Sequence, residues 1–148
     1  MEVRTTRFGM LEIAEDRVIQ FPKGLLGFSQ FKRYCLLEPN DDACFFWLQC
    51  VDEPGLAFVV TDPSLFVEGY DAPIRKEQME ALSMTNTQDA QVFVIVNKVG
   101  AELTGNLQGP LVINTLNRVG EQLVLADKRW ETRHKLMVVA QDQQRATA

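Results

Sequence analysis

The stretch that decides the fold runs from Cys44 to Tyr70 and reads CFFWLQCVDEPGLAFVVTDPSLFVEGY. It contains two short apolar runs, Phe45 to Val51 and Leu56 to Val60, which are rich in aromatic and β-branched residues. Both are shorter than an average helix, so their composition favours strands. The residues between them, Asp52-Glu53-Pro54-Gly55, are typical of a turn, because proline fixes φ and glycine permits positive φ. The stretch therefore predicts an antiparallel hairpin of two buried strands.

This part of the chain also carries charge of only one sign. No lysine or arginine occurs from Tyr34 to Ile74, a span of 41 residues. The net charge of −5 disfavours unspecific nucleic-acid binding, which depends on neutralising phosphates. It suits a basic protein partner, whose encounter rate an acidic surface raises, and it equally suits a surface that only keeps the protein in solution. The acidic residues of the span are Glu38, Asp41, Asp42, Asp52, Glu53, Asp62, Glu68 and Asp71.

The composition of the 148 residues predicts one globular domain over residues 1–139 and a polar tail over residues 140–148. No apolar run approaches the roughly 18 residues of a membrane-spanning helix, and the N-terminus, MEVRTTRFGM, does not resemble a secretory signal. A cytoplasmic location is therefore expected. The three cysteines include no C-x-x-C pair, which favours buried thiols in a reducing compartment.

Short strands separated by turns account for most of the remaining sequence. The first 21 residues predict a small meander, and the only predicted helix is Ile74 to Leu82, with Asp71 as its cap and Pro73 in its first turn. Strands and helices do not alternate, so the predicted class is mainly β. We expect a small antiparallel β-barrel, or a barrel-like sandwich, of short strands with one peripheral α-helix. The other predicted strands cover residues 34–37, 91–96, 103–107, 111–115 and 122–125.

The segment FPKGLLGF at residues 21–28 has unusual apolar content for a loop. Proline and glycine interrupt it repeatedly, which excludes a helix or a long strand. Two placements fit its apolar side chains. They either close one end of the core or form an exposed contact surface for a partner.

The sequence contains few residues suited to catalysis. The single histidine, His134, lies in a basic segment, and neither a nucleophile motif nor a phosphate-binding glycine loop occurs. Histidine and cysteine are too few and too scattered for a metal site, so we predict no catalytic residue, metal ligand or cofactor. Adjacent acids such as Asp52 and Glu53 leave a small carboxylate-dependent enzyme as an alternative. An RNA-binding barrel is a second alternative that the negative charge disfavours.

Three segments, in this order and spacing, resemble the FliW family of flagellar assembly factors. They are FPKGLLGF at residues 21–28, FFWLQCVDEPGLAFVVTDP at residues 45–63 with Tyr70 downstream, and NLQGPLVIN at residues 106–114. Together with a strand at residues 122–127 they cover most of residues 3–135. The chain departs mildly from the family pattern, which we expect to have a small polar residue at Cys50 and alanine at Gly109.

The resemblance implies a small β-barrel that is not an enzyme and that binds flagellin in the cytoplasm. It also implies binding to CsrA, an RNA-binding translational repressor, which antagonises repression of flagellin mRNA translation. No nucleic acid, membrane, cofactor or small-molecule substrate is implied as a direct ligand. The basic surface of an RNA-binding protein would meet the acidic span, but surface ion pairs contribute only about 0–1 kcal/mol each, so apolar anchors are also needed. The predicted partner-binding residues are Asp52, Glu53, Asp62, Glu68, Asp71, Leu25, Leu26 and Phe28.

Overall fold

The computed structural model describes residues 1–38 and 44–139, and strands dominate this part of the chain. Two N-terminal strands, β1 (Glu2–Thr5) and β2 (Gly9–Glu12), form a separate hairpin. The described residues contain one α-helix, α1 (Lys76–Ala81), and three short 3-10 turns. The predicted turn containing Asp41 and Asp42 and the predicted tail at residues 140–148 lie outside the described residues. The remaining strands are β3 (Ile19–Gln20), β4 (Arg33–Leu37), β5 (Phe45–Cys50), β6 (Ala57–Thr61), β7 (Ala90–Val99), β8 (Glu102–Gly105), β9 (Leu111–Asn114), β10 (Val119–Gln122) and β11 (His134–Val138).

The central hairpin is confirmed as the pair β5 and β6. The two strands are antiparallel, with Phe46 opposite Val60. Their turn is closed by the backbone N–H of Leu56, which donates to the carbonyl of Glu53 at 3.1 Å. The buried side-chain amide of Gln49 also donates to the carbonyls of Pro54 and Leu56, each at 3.2 Å. A side-chain amide inside the hairpin therefore supports the turn in addition to its own proline and glycine.

The sheet closes on itself. Its strands follow the order β7, β6, β5, β4, β3, β10 and β9, and β9 then pairs with β7. The ten-residue strand β7 makes this closure, because its first half pairs with β9 and its last residues pair with β8. The mainly β class is thus confirmed as a closed ring of strands. One contact differs from a purely antiparallel barrel, since β3 and β10 are parallel, with Val119 opposite Gln20.

Two apolar clusters lie on opposite faces of β9. Leu111 and Ile113 belong to an inner cluster that takes residues from nearly every strand of the ring. Val112 belongs to an outer cluster, where it packs with Leu82, just beyond α1, and with Trp130. Burying one such side chain contributes about 1.5–3 kcal/mol, so a strand buried on both faces contributes more per residue than the half-exposed strands. This explains the uninterrupted apolar run in β9.

The buried thiols are also confirmed for Cys35 and Cys50, while Cys44 is half-buried. Burial away from water raises the pKa of the Cys35 and Cys50 thiols, because the thiolate loses its hydration there. A thiol with a raised pKa remains protonated at neutral pH and is therefore a poor nucleophile. These two cysteines therefore serve as core residues.

The predicted helix begins two residues too early. Arg75 has extended backbone angles (φ −76°, ψ 163°), and the side-chain oxygen of Gln78 accepts its N–H at 2.8 Å. The helix therefore starts at Lys76, and both Asp71 and Pro73 lie in the extended segment before it. Ile74 packs against the outer cluster from that segment, so its burial does not require a helical conformation.

Three strand predictions also need correction. The segment at residues 18–21 leaves the N-terminal meander and joins the nine-stranded sheet as β3. The strand predicted at residues 122–125 lies earlier, as β10, which ends at Gln122. No strand is predicted at the position of β11, which pairs with β8 at one edge of the sheet. Basic residues precede and begin β11, and they conceal the apolar residues Leu136, Met137 and Val138 that follow.

Candidate partner-binding surfaces

The predicted binding residues fall at two opposite ends of the ring. At the first, the turn end, β5 ends, β6 begins and residues 51–56 form the turn. At the second, the cavity end, β6 ends, β7 begins and two surface cavities open. Because neighbouring strands here are antiparallel, the loop after β3 also lies at the turn end. The turn end thus holds Leu25, Leu26, Phe28, Asp52 and Glu53, whereas Asp62, Glu68 and Asp71 follow β6 at the cavity end.

The apolar loop at the turn end has side chains in both predicted positions, one buried in the core and one exposed to solvent. Leu25 is only 2 % exposed and belongs to the inner cluster, whereas Leu26 is 62 % exposed. The backbone N–H of Leu26 is held by the side-chain oxygen of Gln122 at 2.8 Å. Phe28 is half-buried, with its ring edge-on to Phe58 at 5.3 Å between centroids. Leu25 is therefore a core residue in this conformation, and Leu26 is the apolar side chain that the loop presents to solvent.

The charge of Asp52 at the turn end is neutralised. Arg33 binds its carboxylate with two hydrogen bonds, Nη2 to Oδ1 at 2.5 Å and Nε to Oδ2 at 3.1 Å. The guanidinium lowers the pKa of Asp52, and the carboxylate raises the pKa of Arg33. A carboxylate held ionised in this way is poorly suited to act as a general acid, which weakens the carboxylate-enzyme alternative. Among the described residues Glu53 forms no ion pair, and it is exposed.

A second basic residue reaches the acidic span from the N-terminal hairpin. The guanidinium of Arg7 lies over the ring of Trp47 at 4.2 Å, and the ring of Phe8 meets the same indole edge-on at 5.9 Å. The N–H of Thr6 donates to the carbonyl of Pro54 at 3.0 Å, which ties this hairpin to the central turn. These contacts were not predicted, because both basic residues precede the acidic span in sequence. The pairing of β4 with β5 brings Arg33 to the span, and the contact between Thr6 and Pro54 brings Arg7 there.

The larger cavity at the cavity end, which we call the acidic cavity, has a volume of about 530 Å³. Asp62 and Asp71 line it together with apolar residues such as Ile74, and no lysine or arginine contributes to the lining. The side chain of Asp62 accepts hydrogen bonds from the backbone N–H of Ser64 at 2.9 Å and from its hydroxyl at 2.7 Å. Asp71 is exposed. The arrangement suits a cationic group that carries an apolar stem.

Tyr70 fixes one wall of the acidic cavity. Its hydroxyl donates to the carbonyl of Leu107 at 2.6 Å, and its ring packs edge-on against Trp130 at 4.8 Å. Burial raises the pKa of Tyr70 above its ordinary value. The segment between Asp62 and Asp71 is therefore anchored to the outer cluster, while Glu68 remains exposed on it.

The second cavity at this end, which we call the arginine cavity, has the opposite character. Its volume is about 480 Å³, and it lies between the residues before β3 and the turn from β9 to β10. Two arginine residues contribute to it. Its lining residues are Asp16, Arg17, Thr115, Leu116 and Arg118.

Neither a metal cluster nor a membrane-spanning helix is found in the part of the chain that the structure describes. Within residues 1–38 and 44–139 no three histidine, cysteine or acidic side chains are grouped so as to hold a metal ion. No helix there is long and apolar enough to cross a bilayer. His134 is half-buried, with its ring 6.4 Å from that of Trp130.

The fold and its surfaces define a small mainly β protein with an exposed apolar loop and two surface cavities of opposite charge. Comparison with known proteins gives its family, because the FliW protein family model matches residues 2–136. The flagellar assembly factor FliW of Alkaliphilus metalliredigens is 40 % identical over 97 % of this chain and 91 % of its own length. That of Treponema denticola is 37 % identical over 93 % of this chain and 94 % of its own length. A crystal structure of the flagellar assembly factor FliW superposes with a TM-score of 0.85 at 33 % identity, covering 93 % of this chain and 97 % of the other. The chain belongs to the FliW family of flagellar assembly factors.

Proposed function

We propose that this protein acts in the cytoplasm as a non-enzymatic binding protein for flagellin and for the translational repressor CsrA. Binding CsrA would relieve its repression of flagellin mRNA translation. Flagellin would compete for the same protein, so free flagellin would restore repression. Membership of the FliW family supports a role in flagellar assembly. The observation that supports the CsrA part is the acidic cavity, whose lining has two carboxylates and no basic residue.

The acids at the cavity end are the better candidates for a basic partner. The charge of Asp52 at the turn end is already neutralised by Arg33, so a second cation would gain little electrostatic attraction there. Asp71 and Glu68 are exposed, and within the described residues neither forms an ion pair. An acidic surface that covers a basic RNA-binding face would also repel RNA phosphates, which couples the two CsrA ligands negatively.

The apolar anchor for a partner would come from the turn end. Leu26 is exposed on a loop whose neighbours on both sides are held, Leu25 in the core and Phe28 against Phe58. A side chain presented from a fixed loop loses little conformational freedom on binding, so more of its burial energy appears as affinity. Leu26 is therefore the candidate anchor, with Phe28 beside it.

The test measures binding of purified CsrA and flagellin, separately and mixed, at two salt concentrations. The double variant Glu68→Lys/Asp71→Lys is compared with Glu2→Lys/Glu131→Lys, which changes the net charge equally at exposed positions elsewhere. We expect the first to weaken CsrA binding about tenfold or more, because each lost ion pair is replaced by repulsion, and the second to have little effect.

Three results would change the proposal in different ways. If neither flagellin nor CsrA binds the unmodified protein, the proposed function is wrong. If both bind and only Asp52→Lys/Glu53→Lys disrupts CsrA, its surface lies at the turn end. If flagellin does not displace CsrA from the mixture, the two partners do not compete.

A further inference from the structure

We infer that the arginine cavity is a binding site for a carboxylate group attached to an apolar group. It is separate from the acidic cavity, and the inference does not depend on the proposed binding of flagellin or CsrA. The two residues that carry it are Arg17 and Arg118, which line the same cavity.

The backbone of Arg118 is fixed on both sides. Its N–H donates to the carbonyl of Asn114 at 2.8 Å, and its carbonyl accepts the N–H of Gln20 at 2.9 Å. Its φ of 61° lies in the left-handed region, which is uncommon for a residue with a side chain. The hydrogen bonds thus hold Arg118 in an uncommon backbone conformation at the wall of the cavity.

The guanidinium of Arg118 has an unused donor. Its Nη2 donates to the carbonyl of Arg17 at 3.3 Å, but its Nε is buried and has no hydrogen-bond partner among the described residues. The buried Nε lies out of reach of a ligand in the cavity, so a carboxylate there would meet the terminal nitrogens of the guanidinium. The planar guanidinium matches the two oxygens of a carboxylate better than a single acceptor.

The charge and the rim of the cavity indicate which anion fits. The lining contains two arginines, Arg17 and Arg118, and one aspartate, Asp16, so its net charge is one positive unit. This charge suits a monoanion better than a doubly charged phosphate. The hydroxyl of Thr115 donates to the carbonyl of Asp89 at 2.9 Å, so its proton is not available to a ligand. Leu116 is 76 % exposed at the rim and offers an apolar contact. A ligand with a carboxylate next to a branched apolar side chain would contact both the positive charge and Leu116.

The first experiment titrates the ¹⁵N-labelled protein with N-acetyl-leucine, with N-acetyl-leucinamide and with inorganic phosphate, and follows the backbone amide signals. For N-acetyl-leucine we expect saturable shifts at residues 115–120 with a Kd of roughly millimolar, as for a ligand of this size. N-acetyl-leucinamide lacks the negative charge of N-acetyl-leucine and should bind at least tenfold more weakly. Equal binding of acid and amide, or tighter binding of phosphate at the same residues, would overturn the inference.

The variants separate the guanidinium groups from general charge. Arg17→Gln should weaken N-acetyl-leucine binding about tenfold, whereas Arg4→Gln, at an exposed position on β1, should leave it unchanged. Arg118→Lys keeps the charge but removes the planar donor set, and a several-fold loss is expected with the rest of the amide spectrum preserved. Leu116→Ser should weaken N-acetyl-leucine but not acetate. Unchanged affinity in both arginine variants would show that the cavity does not bind the carboxylate.

Discussion

The two ends of the ring carry acidic residues from the same span of sequence, but their charges have different surroundings. At the turn end Arg33 neutralises Asp52, and Lys23 lies 3.4 Å from Glu121. At the cavity end Asp62 is stabilised by Ser64, and the acidic cavity has no basic lining residue. A run of acidic residues in a sequence is therefore not yet an acidic surface. The strand pairing decides which of its members meet a cation.

The two ends also differ in what fixes their loops. Gly24 and Gly27 adopt positive φ at the turn end, so the apolar loop there depends on backbone conformation as well as on the side chain of Gln122. At the cavity end the buried side-chain amide of Asn114 connects β9 to the end of α1. Substitutions at the two ends should therefore act through different mechanisms and with different magnitudes.

The largest effect is expected for Gly24→Ala at the turn end. A Cβ at this position would lie 2.6 Å from the Cα of Ser29, which is backbone and cannot move aside alone. The φ of +66° adds strain, and we expect a loss of roughly 2–4 kcal/mol in the free energy of unfolding measured in urea. Gly27→Ala is the control, since its φ is also positive but no atom lies within 4 Å of the added Cβ. It should cost only about 1–2 kcal/mol, and an equal loss in both variants would show that the close contact has no effect.

At the cavity end, Asn114→Ala should cost about 1–2 kcal/mol. Its Nδ2 donates to the carbonyl of Leu82 at 2.9 Å, and its Oδ1 accepts the N–H of Leu116 at 2.9 Å, both lost in the variant. Hydrogen exchange should show faster opening of α1. The matched control is Asn117→Ala, which removes a second donor to Leu82 from an exposed position. If the two variants lose the same stability, burial of Asn114 does not strengthen the connection.

Tyr70→Phe should cost about 1 kcal/mol at neutral pH by removing the hydrogen bond to Leu107. It should also change the alkaline limb of the stability curve. The raised pKa of Tyr70 in the folded protein means that its contribution is complete below about pH 10 and is lost as the pH rises further. The difference between the native protein and the variant should therefore shrink above pH 10. A constant difference up to pH 12 would contradict the burial of this phenol.

The smallest effect is expected for Asp52→Asn. The side chains of Arg33 and Asp52 are 40 % and 43 % exposed, so the pair should contribute no more than about 1 kcal/mol. Because the pKa of Asp52 is lowered in the folded protein, this contribution is present above about pH 4 and is lost as the pH falls through the folded-state pKa. Urea unfolding at pH 7 and pH 3 should show a smaller difference at pH 3 than at pH 7. Glu53→Gln, which removes an exposed charge without an ion pair, should stay within about 0.5 kcal/mol of the native protein.

The sequence predicted those parts of the fold that local chemistry determines. The hairpin of β5 and β6 followed from two apolar runs and one turn, and the mainly β class followed from many such segments. The start of α1 was missed because Asp71 and Pro73 look like a helix cap in isolation, whereas Arg75 is extended and its N–H is accepted by the side chain of Gln78. The parallel pairing of β3 with β10 could not be predicted, since no local signal connects residues so distant in the chain.

The candidate surfaces were predicted less completely than the fold. The acidic residues and the apolar loop were recognisable, but the opposite placement of Leu25 and Leu26 was not, because a loop has no fixed alternation of faces. The role of Arg33 depends on its position opposite the end of β5. The arginine cavity combines Arg17 with Arg118, and sequence reasoning had no reason to join them.

The parallel contact between β3 and β10 has a consequence for biosynthesis. The ribosome releases Gln20 roughly a hundred residues before its partner Val119, which corresponds to about 5–20 s of translation. During that interval the nascent chain can form β4, β5 and β6, but β3 keeps one unpaired edge that other chains could join. The arginine cavity also needs residues from the later part of the chain, and the acidic cavity needs a segment that the later part of the chain anchors. The arginine cavity can therefore form only after Arg118 has been synthesised, and the contact that anchors Tyr70 at the acidic cavity only after Trp130.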